Sequence, residues 1–121
     1  MQLLTTLITP ACIIDEPKMA ANAQRVAQHC EQQGVALRPH VKTLRSLEAA
    51  SIYAPVPMPI TVSTLAEAHA FSEAGYQDIL YAVGLSPNKF EQVNTLLNNA
   101  VTLTVVIDST TAAEQLCAQA S

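Results

Sequence analysis

The sequence predicts an α/β fold built as part of a (β/α)8 barrel of the TIM type, with about four βα units. Short apolar, β-prone runs alternate with stretches of helical periodicity, and the loops between them are short. No two runs are joined by the Asn-Gly or Asp-Gly pair that marks a hairpin, so the strands are expected to be parallel with crossover helices. No glycine-rich phosphate turn follows a strand, which leaves an open doubly wound sheet as the second choice.

The elements follow in order. Ala11-Cys12-Ile13-Ile14 is a short apolar run expected to be a strand. Asp15 or Glu16 can cap the next helix, with Pro17 in the favoured first turn. Met19, Ala23, Val26, Ala27 and Cys30 recur at helical spacing, and Gly34 ends the helix. Residues 36–43 read as the first barrel strand. A short helix runs from Ser46 to about Tyr53, with Leu47, Ala50 and Ile52 as its inward contacts. Pro55-Val56-Pro57-Met58-Pro59 is a stiff connector, too short to link domains.

Ile60-Thr61-Val62-Ser63 is the next strand, and Thr64-Leu65-Ala66-Glu67 has the capping-box pattern of a helix start. Leu65, Ala68 and Phe71 form the apolar stripe of that helix, which stops at Gly75. Asp78-Ile79-Leu80-Tyr81-Ala82-Val83 is a strand ending at Gly84. Ser86-Pro87 opens a helix expected to bury Phe90, Val93, Leu96 and Leu97. The stretch from Val101 to Ile107 is the most β-prone of all, and a last amphipathic helix begins near Thr111.

Composition narrows the function. A net charge of −4 argues against a nucleic-acid partner, which requires a basic patch. No apolar run reaches the length of a membrane span, and the first residues lack the basic and small-residue features of a signal peptide. Cys12, Cys30 and Cys117 are scattered through apolar patterns without paired spacing. They are expected to be buried thiols in a reducing compartment, with the cytoplasm as the default.

The chemistry concentrates in Arg38-Pro39-His40-Val41-Lys42-Thr43. In a strand Arg38, His40 and Lys42 share one face. Lys and Arg number only six in the chain, and two of them stand here. Three cationic groups on one face are costly to bury without an anion opposite. A solvated edge strand is the plain reading, and Pro39 suits an edge. The functional reading is a pocket for an anionic ligand with Lys42 at its mouth. A lysine at the C-terminal end of a barrel strand also has a chemical use. Neighbouring positive charge favours the uncharged amine, the form that attacks a carbonyl to make a Schiff base. By residue chemistry alone, a lysine that merely pairs with an acid is equally reasonable.

Four segments resemble a known family: Thr9-Pro10-Ala11-Cys12-Ile13-Ile14-Asp15, then Leu37-Arg38-Pro39-His40-Val41-Lys42-Thr43, then Ile60 through Ala68, and Asp78 through Gly84. Together they are similar to the amino-terminal part of the D-serine dehydratase and D-threonine aldolase family, within the alanine racemase-like fold of pyridoxal phosphate (PLP) enzymes. The resemblance covers nearly the whole chain and implies that Lys42 carries PLP as an internal aldimine, with His40 and Arg38 beside the cofactor. It divides the chain into 1–34, an amino-terminal strand and lead-in helix, and 35–121, half of a PLP-binding barrel. It also implies that the 11–15 segment pairs with a separate carboxyl-terminal β domain. That domain would supply ligands for a Zn or Mn ion in a full-length parent, and it is not found in this sequence.

Many family members carry a His after the Lys-Thr pair, where this chain has Leu44. The chain therefore reads as an amino-terminal fragment of a PLP-dependent lyase acting on D-amino acids such as D-serine or D-threonine, or, less favoured, of a racemase. A non-catalytic PLP-binding protein and an inactive fragment stable only on self-association are the alternatives. Homo-oligomerisation is expected, because a parallel sheet with open edges is exposed to pairing. Of the remaining candidates, Tyr81 is expected to pack under a helix, and Asp108 either meets the site or caps the last helix. Ser63 and Thr64 are expected to cap, and His29 and His69 to be solvated.

Overall fold

The computed structural model describes residues 4–119. Among them the helices are α1 (Glu16–Gln32), α2 (Leu47–Tyr53), α3 (Leu65–Glu73), α4 (Phe90–Asn98) and α5 (Thr110–Gln119). The strands are β1 (Ile60–Val62), β2 (Asp78–Gly84) and β3 (Thr102–Val106), and they pair in parallel in the order β1-β2-β3.

Local chemistry sets the helix starts. Asp15 caps α1 by accepting from the Lys18 N–H at 3.1 Å, and Pro17 occupies the first turn, where its missing N–H costs nothing. Ser46 caps α2 by accepting from Ala49 N at 3.2 Å. Thr64 and Glu67 form a reciprocal capping box on α3. Gly34 and Gly75, at φ +65° and +98°, reverse the chain after α1 and α3 in a conformation that favours glycine.

Register assigns the two sheet faces. Ile60 pairs with Ile79 and Ile79 with Leu103, while Val62 pairs with Tyr81 and Tyr81 with Val105. These residues pack against Leu65, Ala68 and Phe71 of α3 and Phe90, Val93 and Leu96 of α4. Tyr76 completes this core, its ring edge-on to Phe71 with centroids 5.3 Å apart and its hydroxyl donating to Ala54 O at 2.6 Å. Tyr81 is fully buried on this side, as expected. The other face carries Thr61, Leu80 and Thr104 in one row and Asp78 and Thr102 in another. Thr102, Thr104, Ala82 and Val106 on that face are exposed. Sequential parallel strands with helices on one face only are the wall of a barrel. A doubly wound sheet would be covered on both.

Several expectations are corrected. The 36–43 segment is not a ladder strand: it makes one parallel bridge, His40 to Thr61, and then turns into a 3-10 helix over Val41–Thr43. Pro39 offers no N–H, and its carbonyl instead accepts from Thr61 N at 2.8 Å, so pairing stops at the edge after one register step. The 11–14 run forms no strand, and Ile13 and Ile14 are exposed. Helix α1 forms as expected, but none of its residues is fully buried. Its stripe lies over a cleft of about 350 Å³ lined by Met19, Ala23, Val26, Leu37, Pro39 and Tyr53. Leu47 and Leu97 are exposed, because Ala49 and Ala50 turn inward on α2 and Leu96 takes the core position on α4. Cys12, in the exposed run before α1, and Cys117 are exposed and Cys30 is half-buried, since α1 and α5 bury no residue completely. Among the described residues no helix is long and apolar enough to cross a membrane.

Candidate functional site

His40 sits where the edge segment meets β1, one residue before the 3-10 turn. Its Nδ1 accepts from the Lys42 N–H at 3.2 Å, so the side chain caps the turn that presents Lys42. An accepting Nδ1 places the proton of the neutral ring on Nε2. Desolvation holds the imidazole below its ordinary pKa, the Lys42 charge adds to this, and Glu67 opposes it. Desolvation and the Lys42 charge both favour the uncharged ring, the form a cap that accepts from an amide requires.

Lys42 is exposed at the C-terminal end of the edge segment. All three lysines lie among the described residues. Lys18 is ion-paired with Asp15 at 2.8 Å, and Lys89 donates to the Tyr81 hydroxyl at 2.5 Å. The Lys42 amine has no ion pair or side-chain hydrogen bond among the described residues. An unpartnered exposed amine beside a neutral imidazole has the donor chemistry that an aldehyde cofactor requires.

Arg38 stands at the opposite end of the sheet. Its guanidinium grips Asp78 in a two-pronged pair, Nη1 to Oδ1 at 2.8 Å and Nη2 to Oδ2 at 3.0 Å. Nη1 also donates to the carbonyls of Ile60 and Asp78, each at 3.4 Å. Ile60 and Asp78 are the first residues of β1 and β2, so Arg38 closes the floor of the open face. This corrects the picture of an uncompensated cationic face awaiting an anionic ligand. Asp78 is the anion opposite Arg38, His40 is neutral, and Lys42 alone keeps an unpaired charge among these three.

Glu67, expected from the sequence to belong to a capping box, does more than cap. Its Oε2 accepts from Ser63 N at 2.8 Å and Thr64 N at 3.2 Å, while Oε1 lies 3.1 Å from Arg45 Nε. It thereby joins the loop after β1 to the loop that carries Lys42. Ser63 follows β1 and has a buried hydroxyl with no hydrogen-bond partner among the described residues. Asp108 does not cap α5: Ser109 Oγ accepts from Ala112 N at 3.2 Å. The Asp108 carboxylate lies instead beside Gly84, where a Cβ would stand 3.5 Å from Oδ2. Thr64 caps as expected, and His29 is exposed while His69 is half-buried. Among the described residues, no three His, Cys, Asp or Glu side chains gather closely enough to hold a metal ion.

A parallel three-stranded sheet with helices on one face has the architecture of part of a (β/α)-barrel wall. The chain belongs to the alanine racemase N-terminal domain family, whose model matches residues 14–121. It is 45% identical over 116 residues to the D-threo-3-hydroxyaspartate dehydratase of Delftia sp. (strain HT23), covering 95% of this chain and 30% of that protein. It is 29% identical over 112 residues to the D-serine dehydratase of Dictyostelium discoideum, covering 88% of this chain and 28% of the relative. The crystal structure of an alanine racemase-like protein from Idiomarina loihiensis superposes with a TM-score of 0.93 at 42% identity, over 97% of this chain and 32% of that one. The chain thus spans about 30% of the length of the curated relatives it matches. These likenesses agree with the expected family and with its amino-terminal part.

Proposed function

We propose that this chain is the cofactor-bearing amino-terminal part of a PLP-dependent lyase acting on D-amino acids with a β-hydroxyl group, and that Lys42 is the residue holding PLP. One observation carries the reading: Lys42 is the lysine whose amine is left unpartnered, and it is presented at the C-terminal strand end by a turn that His40 caps. Likeness to dehydratases of D-threo-3-hydroxyaspartate and D-serine supports a β-hydroxy D-amino acid as substrate and water elimination as the reaction.

PLP, when bound, supplies the electron sink that lets the substrate α-carbon lose its proton. The protein's own residues do the rest. Lys42 fixes the cofactor and its amine can carry a proton at the α-carbon. His40 sets the direction of Lys42 through the capped amide, and its neutral ring adds no charge beside the amine. Arg38, locked to Asp78, supports the floor beneath the site. A Zn or Mn ion, if the full-length parent holds one, would take its ligands from outside these residues. The substrate is a small molecule, and the compartment is the cytoplasm.

The uncovered sheet face and the open edge of β3 favour a second statement about the chain by itself. Alone it either self-associates or binds PLP far more weakly than a complete relative, and it turns over no D-amino acid. The test is an assay of the full-length parent with D-serine, D-threonine and D-threo-3-hydroxyaspartate, following keto-acid release with and without PLP. PLP-dependent release from at least one of them is expected. A parent that binds PLP without turnover supports a non-catalytic carrier, and interconversion of enantiomers without release supports a racemase.

A further inference from the structure

The two oxygens of Glu67 have different surroundings. Capping α3 needs one acceptor, and Oε2 fills that role for both Ser63 N and Thr64 N. Oε1 is buried and accepts no hydrogen bond, so capping does not explain its placement. Its counterpart is Arg45 Nε at 3.1 Å, and Glu67 is only 11% exposed while Arg45 is 66% exposed. An ion pair between two exposed side chains contributes little, but a buried carboxylate left without its cation is costly.

Arg45 terminates the turn that presents Lys42. It adopts φ +49°, a left-handed conformation that is uncommon for a residue with a side chain. Its N–H donates to Val41 O at 3.2 Å, closing the turn from behind, while His40 closes it from the front through the Lys42 N–H. Lys42 therefore lies between two backbone anchors, and the second is pinned sideways to α3 by Glu67.

We infer that Glu67 is a positioning residue, which holds Lys42 at the mouth of the barrel through Arg45. The functional meaning of this tie rests on Lys42 being the PLP lysine, but the tie itself does not.

The experiment separates the two. Arg45→Ala removes the cation and leaves the cap of α3 untouched. Glu67→Gln keeps an oxygen for the cap and removes the charge. Amide hydrogen exchange, read residue by residue by NMR on the 121-residue chain, reports the turn directly. In Arg45→Ala the amides of Lys42 and Arg45 are expected to exchange about tenfold faster, while Ala68 in α3 changes less than about twofold. Glu67→Gln should give the same acceleration, and combining the two should add nothing further. Arg45→Lys, which keeps the charge, should recover part of the protection. If Arg45→Ala leaves Lys42 exchange unchanged, or loosens α3 equally, Glu67 is a helix cap only and the inference is overturned. Should Glu67→Gln fail to fold, Arg45→Ala decides the matter alone. An Arg45→Ala effect on the Lys42 amide, found alongside PLP attachment elsewhere, would defeat the functional reading and leave the tie standing.

Discussion

Replacing His40 by Ala removes one defined interaction, the 3.2 Å bond from the Lys42 N–H to Nδ1 that caps the 3-10 turn. A net hydrogen bond of this kind contributes about 0.5–1.5 kcal/mol, and losing a cap costs about as much. These are the same bond counted two ways, so the expected loss is about 1 kcal/mol and not their sum. With a urea m-value of roughly 1–3 kcal/mol per molar, the midpoint should fall by about 0.3–1 M. His40→Asn, whose side-chain oxygen can accept from the same amide, should lose less than half as much.

The pH dependence carries a sign. The folded pKa of His40 lies below its ordinary value of 6.5, because burial and the Lys42 charge disfavour the cation. Below about 6.5 the unfolded chain therefore takes up a proton that the folded chain resists. The stabilisation by His40 is fully present above that pH and is lost as the pH falls through the depressed folded value. The gap in urea midpoint between the unmodified protein and His40→Ala should be widest at pH 7–8 and shrink on acidification. A gap that stays constant, or widens toward acid, would refute the assignment of Nδ1 as an acceptor. A midpoint loss of several kcal/mol with unaltered activity per folded molecule in the full-length parent would make His40 a core residue and not a site residue.

Leu96→Ala opens a cavity at a fully buried core position between α4 and the sheet, and should cost about 2–4 kcal/mol by urea unfolding; under 1 kcal/mol would mean that α4 packs loosely. A double-mutant cycle of Arg38→Met and Asp78→Ala should return a coupling of about 0.5–1 kcal/mol, modest because the side chains are 32% and 44% exposed; additive losses would show that the floor pair is incidental. Sedimentation of the 121-residue chain should show concentration-dependent association, whereas a cooperatively folding monomer at high concentration would contradict the open-edge argument.

What was legible in the sequence was local. Asp15, Ser46 and the Thr64–Glu67 box declared their helices because capping is decided within a few residues. The parallel alternation was legible for the same reason. The 36–43 segment was misread because its alternating pattern suggests a strand, while Pro39 at an open edge allows only one bridge. Arg38 and Lys42, four residues apart, fall on one face of a strand and so read as one site. Asp78, 40 residues away from Arg38, takes Arg38 for the floor, and no local signal announces that contact. Glu67 was visible as a cap, but its second oxygen finds Arg45 only once two loops meet. The apolar face of α1 is legible in its spacing but its exposure is not, since a pattern specifies a face and not what covers it.

Lys42, as the residue that holds PLP, can be tested on the protein itself. The most direct measurement is to mix the protein with PLP, reduce with borohydride, digest and map the modified lysine, on this chain and on its full-length parent. The adduct is expected on Lys42, with Lys18 and Lys89 unmodified because Asp15 and Tyr81 already engage their amines. An adduct spread over all three lysines, or found elsewhere in the parent with Lys42 unmodified, would contradict it.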